Sequence, residues 1–136
     1  MDWKNSTILV TGGTGFLGSR VVSMLEKKQV KNIIVPHSVE NDLRLRENCF
    51  EITKNIDIVF HLAAKVGGIG LNQEKPGELF YDNLMMGTNI MEESRKNGVK
   101  KFVALGTICS YPKFTPIPSA KLSPIRIIEF FGKFSS

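Results

Sequence analysis

The 136-residue sequence predicts an α/β fold in which helices cover both faces of a parallel sheet. Short apolar runs rich in β-branched residues alternate with segments of helical periodicity, and a glycine-rich turn follows the first run directly. Such alternation implies parallel strands joined by right-handed helical crossovers. The expected order is therefore β-α-β-α-β-α-β.

The first half of the chain supplies two strands and two helices. Thr7–Val10 is an apolar run typical of a strand buried on both faces. A helical pattern then runs from Gly15 to Lys28, and residues 32–35 form a second strand that Pro36 ends. The polar stretch that follows predicts a short helix near residues 45–53.

The second half repeats the alternation. Residues 57–62 predict a third strand, and a long helix begins at Pro76 and ends before Gly98. Residues 101–105 predict a fourth strand, which leads into a proline-rich loop at 107–118. The residues expected on the apolar face of the long helix are Leu79, Phe80, Leu84, Met85, Ile90 and Met91.

Composition and charge restrict the class of protein. Hydrophobic residues make up 42% and charged residues 23% of the chain, which is typical of one small globular domain. The net charge of +5 could recruit an anionic ligand or simply belong to a solvated surface, and no basic stripe interleaved with aromatics indicates nucleic-acid binding. Two cysteines are too few for a disulfide scaffold or a metal cluster, so no metal is expected. No apolar run reaches the roughly 18–20 residues of a membrane span, and the first residues do not resemble a secretory signal, so a cytoplasmic protein is expected.

The glycine-rich turn at residues 11–18, TGGTGFLG, predicts a dinucleotide site. Its glycines satisfy both TGxxGxxG and GxGxxG, and the turn follows a predicted strand and opens a predicted helix. One glycine permits the tight turn, one lets the backbone approach the pyrophosphate, and one lets the helix pack on the sheet. The pyrophosphate then meets free N–H groups at the positive end of the helix. The alternative is a glycine-rich turn that binds nothing; a P-loop is excluded because Gly18-Ser19-Arg20 lacks the required lysine.

The end of the second strand favours NADP(H) over NAD(H). Enzymes that use NAD commonly place an acid there to bind the ribose 2′-hydroxyl, whereas this chain has VPHS at residues 35–38 and no carboxylate before Glu40. A 2′-phosphate would therefore meet no repulsion, and His37 and Ser38 could each donate to it. Arg44 or Arg46 could reach the same phosphate. The alternative for His37 is an exposed loop histidine.

Three further segments carry a more specific signal: HLAAKVGGI at 61–69, FYDNLMM at 80–86 and LGTICSYPK at 105–113. With the glycine-rich turn, they resemble GDP-L-fucose synthase, an extended short-chain dehydrogenase/reductase, over about residues 8–118. The resemblance implies a Rossmann-type fold and a reaction on GDP-4-keto-6-deoxy-mannose. Two carbons beside the ketone are epimerised, and hydride from NADPH then reduces that ketone.

The resemblance assigns roles to several residues. Thr107 would hydrogen-bond the substrate carbonyl and Cys109 would exchange protons at the epimerised carbons; the alternatives are an inert thiol at Cys109 and Ser110 as a rival hydroxyl. The residues expected to bind the cofactor are Gly12, Thr14, Gly15, Phe16, Leu17, Gly18, His37, Asp42, Leu43, Leu62, Ala63, Ala64, Lys65 and Leu105. Val66, Gly67 and Gly68 are expected to bind substrate, unless their loop is purely structural. His61 and Cys49 are expected to be structural.

The chain also departs from that family. An arginine is common there where this chain has His37, and the family's catalytic Tyr-x-x-x-Lys is absent, because Met85 follows Tyr81 and Thr115 follows Tyr111 at the lysine position. We therefore expect an incomplete binding domain at residues 1–118, truncated after about four strands. Residues 119–136 are expected to be a divergent tail, frameshifted or disordered.

The expected function is NADP(H) binding without turnover by this chain alone. The alternatives are another nucleotide-sugar epimerase or dehydratase, which the loop around Cys109 argues against, and a non-catalytic nucleotide-binding module. The resemblance implies a GDP-sugar as the substrate of the full enzyme. It also implies a homodimer formed through the helix after Pro76, whose partner helix would lie in the missing part of the enzyme.

Overall fold

The computed structural model describes residues 2–106 and the strand Ile127–Phe130. After a 3-10 helix at Trp3–Asn5, the elements are β1 Thr7–Thr11, α1 Phe16–Lys27, β2 Asn32–Ile34, α2 Arg46–Ile52, β3 Ile58–His61, α3 Ile69–Glu74, α4 Pro76–Lys96, β4 Lys101–Leu105 and β5 Ile127–Phe130. The four strands and three helices expected from the sequence are all present, each within a few residues of its predicted bounds.

The described strands form one sheet in the order β2-β1-β3-β4-β5. The first four are parallel, with Leu9 opposite Ile34 on one side and Val59 on the other. β5 pairs antiparallel with β4, so that Val103 lies opposite Glu129. The predicted parallel sheet is confirmed, and β5 is an addition that comes from the segment expected to be a divergent tail.

Side chains alternate between two apolar layers because successive residues of a strand point to opposite faces. Ile8 and Val10 pack on the α1 face beside Leu25, whereas Leu9 packs on the opposite face beside Ile90. The predicted placement of helices on both faces is therefore confirmed. Each of these fully buried strand residues contributes about 1.5–3 kcal/mol through removal of its side chain from water.

Cys49 belongs to the layer that includes α2 and α4. Its thiol is fully buried and donates to the carbonyl of Leu43 at 3.2 Å. Burial raises the pKa of this thiol to about 12, so it stays protonated at neutral pH and serves as a small apolar group. This agrees with the structural role expected from the sequence.

The predicted apolar face of α4 is wrong for three of its six residues. Leu79 and Ile90 are buried and Met85 is half-buried, but Phe80, Leu84 and Met91 are exposed. The buried face also carries Asp82 and Glu93, whose carboxylates pair with cations from preceding segments of the chain. A pattern based on hydrophobicity alone cannot identify a buried face that contains paired charges.

The short helix α3 was not predicted. The glycines before it suggested a loop, but Gly68 forms the N-cap of the helix. The side-chain amide of Asn72 donates to the carbonyls of Gly67 and Gly68. Within residues 2–106 and 127–130, no helix combines the length and apolar character needed to cross a bilayer. The same described residues bring together no group of three or more His, Cys, Asp or Glu side chains that could hold a metal ion.

Candidate nucleotide-binding cleft

A cleft of about 660 Å³ opens at the carboxyl ends of β1, β2 and β3. From β1 the chain crosses to β2 on one side, and from β2 it crosses back to β3 on the other side, so the cleft lies where the strand order reverses. Open α/β sheets bind ligands at this kind of switch point. Its volume is typical of cofactor and small-molecule sites. The lining residues are Thr11, Gly12, Thr14, Gly15, Phe16, Leu17, Gly18, Pro36, Ser38, Asn41, Asp42, Leu43, Arg44, Leu62, Ala63, Ala64, Lys65, Val66, Asp82 and Met86.

Two glycines of the turn are required by close backbone packing. Gly12 has a φ of +71°, and a Cβ there would lie 2.7 Å from the amide nitrogen of Ala63. A Cβ on Gly18 would lie 2.0 Å from the carbonyl oxygen of Gly12. Gly12 therefore makes the tight turn and Gly18 lets α1 pack on it, as the spacing predicts.

Gly15 differs from these two because it borders open space. A Cβ there would approach only the Gly12 carbonyl oxygen, at 3.3 Å. Gly15 is also the N-cap of α1 and has no side chain that could bond the first N–H groups of the helix. Phe16, Leu17 and Gly18, whose amides form that first turn, line the cleft. These donors at the positive end of α1 are suited to an anionic group such as a pyrophosphate.

The opposite wall is fixed by a pair of polar side chains, one buried and one half-buried. The Thr11 hydroxyl lies 2.8 Å from Nδ1 of His61 and accepts from the amide of Ala63 at 3.4 Å. Desolvation lowers the pKa of His61 to about 4, so its ring is neutral at pH 7. This agrees with the satisfied core histidine expected from the sequence. The pair connects the end of β1 to the loop that carries Leu62 to Val66.

Charged side chains close the remaining side of the cleft. Arg44 makes a bidentate ion pair with Asp42, with the shortest N–O distance at 2.7 Å, and also reaches Asp82 at 3.3 Å. Lys65 donates to Asp82 and Glu78, both at 2.7 Å. The hydrogen bond from Lys65 is the main reason that the pKa of Asp82 lies below its usual range. The four charged residues that line the cleft itself, two cations and two carboxylates, are balanced.

Most of the residues expected to bind a cofactor line this one cleft. They are Gly12, Thr14, Gly15, Phe16, Leu17, Gly18, Asp42, Leu43, Leu62, Ala63, Ala64 and Lys65, together with the predicted substrate residue Val66. Their contact with a ligand stays a prediction.

Other predicted residues lie elsewhere. His37 is exposed on the loop after β2, and Leu105 ends β4; neither lines the cleft. Gly67 and Gly68 lie at the start of α3, outside the lining. Arg46 donates to Glu93 of α4 instead of reaching the cleft, whereas Ser38 and Arg44 do line it. The assigned catalytic residues Thr107 and Cys109 lie outside the described residues, as does Ser110.

Several lining residues were not predicted from the sequence. Asp82 and Met86 project from α4, and Asn41 and Pro36 come from the loop after β2. The burial of Asp82 could not be predicted, because a carboxylate in a helix usually indicates a face that is exposed to solvent. Asp82 also lies one turn after Glu78, and nothing in the sequence distinguishes the buried carboxylate from the exposed one.

Comparison with known proteins identifies the fold and its relatives. A model of the NAD dependent epimerase/dehydratase family matches residues 8–132. The matched range runs past residue 118, and the predicted division of the chain at that residue stays a prediction. The chain is 33% identical over 135 residues to GDP-mannose 3,5-epimerase of Arabidopsis thaliana, covering 88% of this chain and 36% of the relative. It is 36% identical over 121 residues to GDP-L-fucose synthase 1 of the same organism, covering 87% of this chain and 37% of the relative.

A solved structure agrees with these sequence relatives. GDP-L-fucose synthetase from Naegleria fowleri bound to NADP superposes with a TM-score of 0.72 at 33% identity, covering 85% of this chain and 35% of that chain. The resemblance to GDP-L-fucose synthase inferred from the motifs is therefore confirmed. The chain spans about a third of the length of the relatives it matches.

Proposed function

This chain belongs to the NAD dependent epimerase/dehydratase family, and on that basis we propose that it is the NADP(H)-binding portion of a nucleotide-sugar epimerase/reductase. The observation that carries the proposal is the uncapped first turn of α1, which opens into a cleft at the switch point of the sheet. Gly12 and Gly18 form a turn that no larger residue fits, and Gly15 leaves room for a phosphate group. The bound dinucleotide would supply or accept hydride at its nicotinamide ring.

Three features of the loop after β2 support NADP(H) over NAD(H). No carboxylate stands at the end of β2. Ser38 and Arg44 line the cleft and carry donors that a 2′-phosphate could accept from. The one nearby carboxylate that lines the cleft, Asp42, accepts from Nε of Arg44 on Oδ1 and from Nη2 on Oδ2, and so presents little free charge.

The proposed reaction of the full enzyme is that of GDP-L-fucose synthase: epimerisation of GDP-4-keto-6-deoxy-mannose and its reduction with NADPH. Support comes from the relatives of that name and from the sequence of the loop at 105–113. β4 is parallel to β3 and ends at the same edge of the sheet, so the chain leaves Leu105 on the side of the cleft. Thr107 would hold the substrate ketone, and Cys109 would remove and return protons beside it.

A second candidate is the reaction of a GDP-mannose 3,5-epimerase. Relatives with that name are 33–36% identical to this chain, and relatives named GDP-L-fucose synthase are 31–36% identical. Both candidates place a GDP-sugar beside the nicotinamide. They differ in net redox change, because reduction of the keto-sugar consumes NADPH, whereas a 3,5-epimerisation gives a product at the oxidation level of its substrate and leaves the dinucleotide unchanged.

We propose that this chain alone does not turn over. Its 136 residues contain no Tyr-x-x-x-Lys pair, so no tyrosine is available to protonate the ketone oxygen during reduction. The chain's own contribution is to bind the dinucleotide and to hold the loop after β3 beside it.

A second copy of this chain is the proposed partner. Phe80, Leu84 and Met91 form an exposed apolar row along α4, at the spacing of one helix face. Sedimentation of the wild-type chain and of Leu84→Glu tests this. A dimer that the substitution disrupts supports the proposal, and a monomeric wild type contradicts it.

Titration with NADPH and NADH, followed by nicotinamide fluorescence, tests the proposed function. We expect NADPH to bind at micromolar concentrations, NADH to bind more weakly, and no fucose product to form from the keto-sugar. Absence of binding to either dinucleotide would contradict the proposed function. Detectable product would contradict only the proposed inactivity.

A further inference from the structure

Helix α4 carries two buried carboxylates in similar surroundings. The Asp82 side chain is 5% exposed and bonds Arg44 and Lys65. The Glu93 side chain is 3% exposed and bonds Arg46 and Lys96. Each therefore pairs with one arginine from the segment before or at the start of α2 and with one lysine. The difference is their position, because Asp82 lines the cleft and Glu93 does not.

Asp82 connects three separate parts of the cleft wall. Its Oδ1 accepts from Nη1 of Arg44, which follows β2, at 3.3 Å. Its Oδ2 accepts from Nζ of Lys65, which follows β3, at 2.7 Å. Its backbone belongs to α4. Glu93, in contrast, bonds Lys96 of its own helix and one residue of α2, so it joins only two helices.

Asn83, the next residue of α4, holds the backbone of the same loop. Its Oδ1 accepts from the amide of Lys65 and its Nδ2 donates to the carbonyl of Lys65, both at 2.8 Å. The side-chain amide of Asn83 thus pairs with both backbone groups of Lys65, as a neighbouring strand would. Together, Asp82 and Asn83 fix both the side chain and the backbone of Lys65.

The contacts of Asp82 are suited to a structural role in the cleft wall and not to a chemical step. Arg44 and Lys65 also bond Asp42 and Glu78 near the surface, so neither cation depends on a ligand for its charge balance. Asp82 is the partner that the two cations share. Removal of its charge would leave the loop at residues 62–66 attached to α4 only through Asn83 and the exposed pair with Glu78.

We propose that Asp82, assisted by Asn83, is a positioning residue that holds the loop at residues 62–66 at the distance from the glycine-rich turn that a dinucleotide requires. This inference rests on the proposed function. Asp82 acts through Arg44 and Lys65 and not by touching the cofactor. Its loss should therefore weaken the binding of both NADPH and NADH, and of NADPH at least as much, because Arg44 is also the proposed donor to its 2′-phosphate.

The first test compares amide hydrogen exchange in the ligand-free wild type, Asp82→Asn and the matched control Glu93→Gln. Exchange at residues 62–66 should be about tenfold faster in Asp82→Asn, because the bonds that close this loop are weakened. The control should leave these amides unchanged and affect those near α2. Wild-type exchange at residues 62–66 in Asp82→Asn would overturn the proposal.

The second test measures dissociation constants for NADPH and NADH with the same three proteins. Asp82→Asn should raise both constants by about tenfold, since misplaced binding groups lose much of their effect. Glu93→Gln should leave both unchanged. If Asp82→Asn does not fold, Asn83→Ala takes its place with the same expectations. Unchanged affinity in a variant with faster loop exchange would overturn the role in binding. A wild type that binds neither dinucleotide would contradict the proposed function, and the exchange experiment would still decide whether Asp82 holds the loop.

Discussion

The two ends of the parallel strands differ in how their polar groups are satisfied. At the amino ends, Asp57 accepts from the amide of Thr7 and from Nζ of Lys100, at 2.8 and 2.7 Å, and its carbonyl accepts from the amide of Lys100. At the carboxyl ends, α1 begins at a glycine that has no capping side chain, and the donors of its first turn face a cleft. The polar groups described at the amino ends are satisfied within the protein, whereas the carboxyl ends leave N–H donors that a ligand could use.

The difference shows how one fold separates stability from binding. Bonds such as those of Asp57 hold three strands in register and need no ligand. The glycines at the opposite end cost conformational entropy and contribute no side-chain packing, yet they create the open donors. Substitutions at the two ends should therefore have different consequences.

The largest expected effect is that of Gly18→Ala. The added Cβ would lie 2.0 Å from the Gly12 carbonyl oxygen, which is backbone and cannot move without shifting α1. We expect a loss of about 3 kcal/mol or more in the free energy of unfolding, measured by urea denaturation, together with loss of dinucleotide binding. Gly77→Ala is the matched control, because nothing lies within 4 Å of its Cβ position. Equal stability of Gly18→Ala and the wild type would contradict the packing described for α1.

The second effect is a pH dependence that comes from the cleft end. Burial lowers the pKa of His61 from 6.5 to about 4, so the unfolded chain binds a proton over this range that the folded chain does not. Stability is therefore complete above pH 6.5 and falls as the pH drops toward 4, by up to roughly 3 kcal/mol.

Urea denaturation at several pH values checks this dependence. His61→Gln should remove the decrease between pH 6.5 and about 5.5, while His37→Gln, at an exposed position, should retain it. Below about pH 5.5, protonation of the carboxylates whose pKa values are lowered, among them Asp42, Asp57, Asp82 and Glu78, adds a further decrease that both variants share. A wild-type stability that is flat from pH 6.5 to 4 would contradict the buried neutral state of His61.

The third effect isolates binding from stability. Gly15→Ala adds a methyl group that approaches only one atom, at 3.3 Å, so the free energy of unfolding should change by less than about 1 kcal/mol. The same methyl group occupies the approach to the first turn of α1, and NADPH affinity should fall about tenfold or more. Calorimetry and denaturation of the same sample measure both. Wild-type affinity would show that the phosphates do not approach at Gly15.

The smallest effect belongs to the amino end. Asp57→Asn keeps an acceptor for Thr7 but loses the charge that Lys100 binds, so the free energy of unfolding should fall by about 1 kcal/mol. NADPH affinity should stay the same, because Asp57 lies at the opposite edge of the sheet. A loss of NADPH affinity with little loss of stability would contradict the separation of stability at the amino ends from binding at the carboxyl ends.

Sequence periodicity was sufficient for the parallel sheet, and glycine spacing was sufficient for the turn. Residues 8–10 and 58–60 are continuous apolar runs, which are typical of strands buried on both faces. Gly12 and Gly18 have the packing roles that their spacing predicts, because close backbone contact leaves no room for a side chain at either, and the role of Gly15 at the phosphates stays a prediction.

The charged wall of the cleft could not be predicted in the same way. Asp82 and Glu93 lie in a helix where carboxylates usually face water, and their partners include cations 17 to 47 residues away in sequence. Pairing over such a separation has no local signature. The exposure of Phe80 and Leu84 follows from the same cause, since the paired carboxylates occupy the inner face of α4.

The proposed function depends on the amides at the start of α1 binding the phosphates of a dinucleotide. An amide-resolved NMR titration of the 15.2 kDa chain with NADPH measures this binding residue by residue. We expect saturable shifts that are largest at residues 12–18 and extend to residues 62–65. Saturable shifts centred on Asp57 and Lys100, with residues 12–18 unmoved, would contradict it.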